Sequence, residues 1–148
     1  VCEDRQEMIT FEADLKEGQK IEDSVLSMIR VKYPLAERFT GKCKPYDIYV
    51  PELNIYIEVK SDKKSQETGN IVIEVEMFGK PSGLNSTKSD YWVFYTGINY
   101  LWIKPFRIWE CVSRNMLKPV EFVGKGDTQS KIAYLVPTQV LMEYIENV

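Results

Sequence analysis

Two short stretches carry side chains whose types and spacing suit chemistry: Pro45-Tyr46-Asp47 and, after ten intervening residues, Glu58-Val59-Lys60. Aspartate and glutamate supply the hard oxygen donors that magnesium prefers. That ion commonly takes one or two protein carboxylates and leaves its other positions to water and substrate phosphate. A metal-bound water with a lowered pKa is a nucleophile that needs no imidazole. A lysine two residues beyond the glutamate is suited to orient that water, or to stabilise charge developing on a phosphate. Metal-assisted phosphodiester hydrolysis is the chemistry these residues fit.

Composition narrows the alternatives. The chain has 148 residues and no histidine, which excludes Ser-His-Asp and Cys-His nucleophile systems, His-ligated zinc and an imidazole general base. Cys2, Cys43 and Cys111 show no metal-ligand spacing, and their odd number argues against a disulfide framework. Reduced thiols in a cytosol-like compartment are expected. The net charge is -3, with eight acids against four bases in the first 30 residues. The remainder is close to neutral, which neither demands nor forbids a polyanionic partner. An apolar content of 44% over this length fits one domain with a real core, spanning residues 1–148. No stretch approaches the roughly 20 apolar residues of a membrane span, and no signal-peptide pattern is present. The chain opens on Val1 rather than methionine, as a domain of a longer protein would.

Periodicity supplies the elements that must position these residues. From about Leu15 to Tyr33, the residues Ile21, Val25, Leu26, Met28 and Ile29 recur at helical spacing, and Pro34 helps to end the helix. The period then changes to two, giving strands at Tyr46–Val50, Ile55–Lys60 and Ile71–Glu76, with Pro51–Asn54 as a hairpin loop. Residues 61–70 read as a polar connection and residues 79–90 as turn-rich. Further strands are expected at Tyr91–Tyr95 and Asn99–Ile103, then a helix from Pro105 to about Met116. A hairpin over Glu121–Val136, turning around Gly124–Asp127, precedes a C-terminal helix opened by Pro137. The expected architecture is a mixed α/β domain built on one sheet.

A four-residue hairpin loop sets the register. It places Val50 opposite Ile55, Ile48 opposite Ile57, and Tyr46 opposite Val59 on a continuous apolar face. On the other face Asp47 falls directly across from Glu58, with Lys60 beside it. Opposed carboxylates have Cβ atoms about 5 Å apart and repel unless neutralised, which a divalent cation would do. The alternative is an ordinary solvated ion cluster on the wet side of a hairpin.

This combination of Pro45-Tyr46-Asp47, Glu58-Val59-Lys60 and a preceding helix resembles the PD-(D/E)XK nuclease superfamily. The order of helix, Asp strand and E-x-K strand is similar to that of archaeal and phage Holliday-junction resolvases and related phage endonucleases. The resemblance covers roughly residues 15–76. An extra Tyr46 between Pro45 and Asp47 departs from the family pattern, as does the lack of a clear helix in residues 77–90. It implies a restriction-endonuclease-like core, with a central mixed β-sheet flanked by helices and an additional C-terminal hairpin and helix. It also implies that Asp47 and Glu58 hold Mg²⁺, for which Mn²⁺ would substitute, and that Lys60 handles the attacking water. Glu22, on the helix at the margin of its apolar stripe, is the position that would complete the metal site, with Glu17 and Asp23 as weaker matches. The implied partner is duplex or branched DNA, the implied setting the cytoplasm of a bacterial, archaeal or phage-infected cell. A homodimer would suit symmetric cleavage of two strands.

Other residues extend the expected site. Glu74 and Glu76 share a strand face, and Glu74 would reach the metal as an outer ligand, or orient Lys60, if its strand lay beside the Glu58 strand. Lys42, Lys44 and Lys88 would contact backbone phosphate, the salt-dependent component of nucleic-acid affinity. Lys63, Lys64 and Lys80 are weaker matches for the same role. Ser82, Ser86 and Thr87 would add hydroxyl contacts. Trp92, Phe94, Trp102 and Trp109 are expected in core packing rather than as base-stacking platforms. Two other functions compete: a nucleic-acid-binding module with a nuclease-like fold that cleaves nothing, and, more distantly, a glycosidase using Asp47 and Glu58 as paired carboxylates.

Overall fold

The computed structural model describes residues 9–40, 44–123 and 130–146, with the side chains of the first helix described from Lys16 onward. Helix α1 spans Ile9–Arg30. It starts ahead of the expected Leu15 because residues 9–14 contain no glycine or proline to stop it. It ends at Arg30, short of the expected Tyr33, in a closing turn where the Lys32 and Tyr33 N–H groups share the Ile29 carbonyl ahead of Pro34. Ile21, Val25, Leu26 and Ile29 form its buried stripe, while Met28 lies outside it and is exposed.

Five strands form the first sheet, in the order β1 (Glu37–Arg38), β2 (Ile48–Val50), β3 (Ile55–Ser61), β6 (Tyr91–Tyr95) and β7 (Tyr100–Ile103). The β2–β3 hairpin has the expected register: Ile48 pairs with Ile57, Tyr49 with Tyr56 and Val50 with Ile55. Its loop closes through Asn54 at φ 50°, a left-handed conformation that asparagine tolerates better than most residues. Strand β6 runs parallel to β3, and the other pairs are antiparallel.

The single sheet expected from the sequence is two sheets. Strand β4 (Asn70–Met77) does not join β3, whose two edges are already taken by β2 and β6. A short helix α2 (Ser65–Thr68) intervenes, and β4 instead heads a four-stranded antiparallel sheet. Its strand order is β5 (Lys80–Pro81), β4, β9 (Lys131–Pro137) and β8 (Val120–Phe122). The β8–β9 pair is the expected late hairpin, and its Gly124–Asp127 turn lies outside the described residues. Between the end of β4 and β6, the described structure is the two-residue strand β5 and a 3-10 turn at Gly83–Asn85, with no α-helix. Helix α3 (Pro105–Arg114) and a C-terminal helix α4 (Thr138–Leu141) fall where proline placed them.

Side-chain alternation in β6 divides the core in two. Val93 faces α1, packing with Val25, Leu26, Ile29, Ile48, Val50 and Ile57. Trp92 and Phe94 face the other way, into a cluster with Ile71, Ile73 and Val75 of β4 and Ile108, Cys111 and Val112 of α3. Each fully buried aliphatic side chain contributes about 1.5–3 kcal/mol, and together they clamp the first sheet from both faces. The architecture is mixed α/β: a mixed five-stranded sheet, an antiparallel four-stranded sheet, and helices. No helix among the described residues is long and apolar enough to cross a membrane.

Candidate active site

Strand β3 carries both a core residue and the candidate chemistry. Its parallel register sets Glu58 beside Trp92 and Lys60 beside Phe94, so both side chains leave the sheet on the face toward the second sheet. Lys60 Nζ lies 3.6 Å from Glu58 Oε2 and 5.3 Å from the centre of the Trp92 ring. Burial raises the Glu58 carboxyl above the ordinary glutamate value; Lys60 pulls it back, and the nearby charge of Asp47 adds to the rise.

Asp47 immediately precedes β2 and is 8% exposed. Its backbone fixes it twice: Asp47 N–H donates to the Ile57 carbonyl at 3.1 Å, and the Asp47 carbonyl accepts from Phe39 N–H at 2.9 Å. The first bond is one step off the Ile48–Ile57 pair. The ladder therefore slips here, and the direct opposition of Asp47 and Glu58 expected from the register does not hold. Instead the Asp47 carboxylate turns onto the β3 backbone, where Oδ2 accepts the Val59 N–H at 2.6 Å. Tyr46 moves with the slip. Rather than covering Val59 on the apolar face, its ring stacks on Tyr56 at 3.9 Å, with Tyr49 on Tyr56 at 4.7 Å.

Glu22 comes from α1, one residue beyond the buried Ile21. Its partner is Lys44: Lys44 Nζ donates to Glu22 Oε1 at 2.7 Å and lies 3.2 Å from Asp47 Oδ1. The three side chains form one compact unit, with exposures of 12% for Glu22, 24% for Lys44 and 11% for Asp47. Burial raises the Glu22 carboxyl, against the opposing Lys44 hydrogen bond. Burial alone would lower the Lys44 ammonium, but its hydrogen bond to Glu22 and the charge of Asp47 more than offset this and raise it. The weaker helix candidates are engaged elsewhere, Glu17 with Lys63 and Asp23 with Arg38. The sequence offered Lys44 as a phosphate contact; the structure shows its ammonium on two carboxylates.

Beside this unit opens a polar cleft of about 330 Å³ lined by Pro45, Glu58, Lys60, Glu74, Gly83, Ser86, Thr87 and Lys88. Glu74 reaches it from the second sheet, not from a strand next to β3. It is held by the Ser82 hydroxyl, which donates to Oε2 at 2.8 Å, and by Lys131 at 3.9 Å. Thr87 is anchored by the indole N–H of Trp92 at 3.0 Å. Gly83, which the sequence did not single out, has φ 51°, and a Cβ there would lie 2.2 Å from the Glu74 carbonyl oxygen. Only glycine lets this wall approach β4 so closely. Lys88 is exposed at the rim. Lys42 lies outside the described residues. Trp92 and Phe94 are buried, and Trp102 and Trp109 pack half-buried against the two cores.

The site thus combines three carboxylates with two lysines, and each carboxylate has an ammonium against it. Among the described residues, no three acidic or thiol side chains converge in the geometry of a metal-ligand group. The donor chemistry nevertheless fits a hard divalent cation. Asp47 and Glu58 are oxygen donors near enough for the charge of one to raise the carboxyl of the other. Comparison with known proteins finds no matching family model, curated protein or solved structure.

Proposed function

We propose that the protein is a Mg²⁺-dependent endonuclease that hydrolyses DNA phosphodiester bonds, and that its fold is a restriction-endonuclease-like core with an added C-terminal hairpin and helix. The observation that supports this best is one hairpin that sets Glu58 and Lys60 in the lining of a polar cleft and brings Asp47 near enough to raise the Glu58 carboxyl, which burial also raises. Asp47 and Glu58 would hold the cation, with Glu22 completing the set. When bound, that cation would polarise the phosphate and acidify a water. Lys60 would orient the water and offset charge developing on the phosphate oxygens. Lys88, Ser86 and Thr87 line the cleft as groups suited to hold backbone phosphate. A symmetric cut across two strands would call for two copies of the chain.

Linear, nicked, flapped and four-way DNA incubated with the protein, with and without Mg²⁺ or Mn²⁺, tests this reading. Metal-dependent cleavage that disappears in Asp47→Asn and Glu58→Gln is the expected result. Unimpaired cleavage by those variants, or DNA binding without cleavage under any metal, would sink it and favour a non-catalytic nucleic-acid-binding module.

A further inference from the structure

Asp47 has two carboxylate oxygens, and both are committed. Oδ2 accepts the Val59 N–H at 2.6 Å, a bond built into the β2–β3 hairpin. Oδ1 is the oxygen that the backbone leaves more open to a cation, and Lys44 Nζ already lies 3.2 Å from it while donating to Glu22 Oε1 at 2.7 Å. An ammonium and a divalent ion are alternative neutralisers of the same oxygen. Lys44 is not a surface lysine passing by, since its side chain is 24% exposed.

We propose that Lys44 is an internal counterion that holds Glu22 and Asp47 together in the absence of metal and must leave Asp47 Oδ1 when a divalent cation binds. Lys44 is thus a positioning residue rather than a constitutive phosphate contact. It keeps the buried Asp47 and the half-buried Glu22 from repelling each other, and it sets a threshold for metal loading. Once displaced, its ammonium is free to meet a backbone phosphate, so metal and DNA binding would favour each other. This inference rests on the metal-dependent reading of the site. It goes beyond that reading in assigning competition to one named side chain.

The test is calorimetric titration of the DNA-free protein with Mn²⁺, comparing wild type with Lys44→Met, Lys44→Gln and Lys44→Arg. A hydrogen bond between charged partners is strong enough that removing the competing ammonium should tighten Mn²⁺ binding by roughly tenfold or more in Lys44→Met. Lys44→Arg keeps the positive charge and should stay within a few-fold of wild type. In EDTA, Lys44→Met should melt below wild type, with Mn²⁺ closing the gap. Lys44→Gln retains a donor to Glu22 without the charge and carries the comparison if Lys44→Met folds poorly. If the neutral variants bind Mn²⁺ no tighter than a wild type whose binding requires Asp47, the role of Lys44 is overturned and the nuclease reading stands. If wild type and every variant bind no Mn²⁺, both are overturned.

Discussion

Asp47 holds the hairpin and, in the proposed function, would also hold a cation, and different substitutions separate the two. Its Oδ2 accepts the Val59 N–H at 2.6 Å, and its Oδ1 faces Lys44 at 3.2 Å, in a side chain 11% exposed. Asp47→Ala removes both and leaves the Val59 N–H without its acceptor. A hydrogen bond to a charged group contributes about 1.5–3 kcal/mol, with a stranded donor at the upper end. We expect Asp47→Ala to cost about 2–3 kcal/mol, lowering the melting temperature by roughly 4–12 °C at this chain length. Asp47→Asn keeps an oxygen for Val59 and, although Lys44 loses one partner, Glu22 remains to it. That variant should cost about 1 kcal/mol or less, because it gives up only one arm of a partly exposed ion pair. Thermal melts followed by circular dichroism in EDTA measure the difference, and cleavage assays on the same preparations measure the other job, which both variants should lose. Equal melting temperatures for the two variants would refute the structural role given to Oδ2.

Lys60→Ala should lower cleavage by about a hundredfold or more, as expected for loss of a group that handles a proton or water. It should barely move the melting temperature, because its side chain is 42% exposed and its ion pair with Glu58 is loose; a large loss of stability would show that the lysine is structural. Gly83→Ala places a Cβ against the Glu74 carbonyl at a positive φ, which should destabilise the fold by about 1–3 kcal/mol and weaken DNA binding by deforming the cleft wall. Urea unfolding and filter binding check this, and a neutral effect on both would contradict it. The raised Glu58 carboxyl makes stability depend on pH in a definite direction. Below the ordinary glutamate value the group is protonated whether the chain is folded or not. As pH rises through the raised value, the folded chain must carry a buried charge, and stability falls. Glu58→Gln should therefore melt above wild type at neutral pH and level with it in acid. A gap that does not change with pH would count against this assignment.

The hairpin register was legible because a loop of fixed length and the paired apolar residues Ile48 and Ile57 leave little freedom to slip. The offset at Asp47 was not. It depends on Phe39 and the two-residue strand β1, and Glu37-Arg38 has no alternation to announce a strand. The split into two sheets was equally hidden. Alternation in Ile71-Val-Ile-Glu-Val-Glu76 identifies a strand but not its neighbours. The neighbour of β4 is β9, from the far end of the chain. The partnership of Lys44 with Glu22 was missed because a lysine's long side chain is compatible with many contacts. Ser86, Thr87 and Lys88 were singled out in the sequence as phosphate contacts; that they share one cleft was not legible, because the bond that anchors Thr87 runs to a buried tryptophan.

The second sheet explains how β3 can hold a core residue and a reactive one side by side. Ile57 faces α1 and is sealed. Glu58 faces the second sheet, whose apolar residues cover Trp92 and Phe94 on the adjacent β6. At Glu58 the cover gives way to the cleft. A carboxylate at such a margin is desolvated from one side while remaining reachable from the other, which is why its carboxyl is raised without being sealed in. Left alone, three partly buried carboxylates so close together would weaken the fold. Lys44, which neutralises two of them, offsets most of that cost, and the more exposed Lys60 adds little. In the function proposed above, these ion pairs are the interactions a ligand would have to exchange, which would tie the stability of the hairpin to ligand binding.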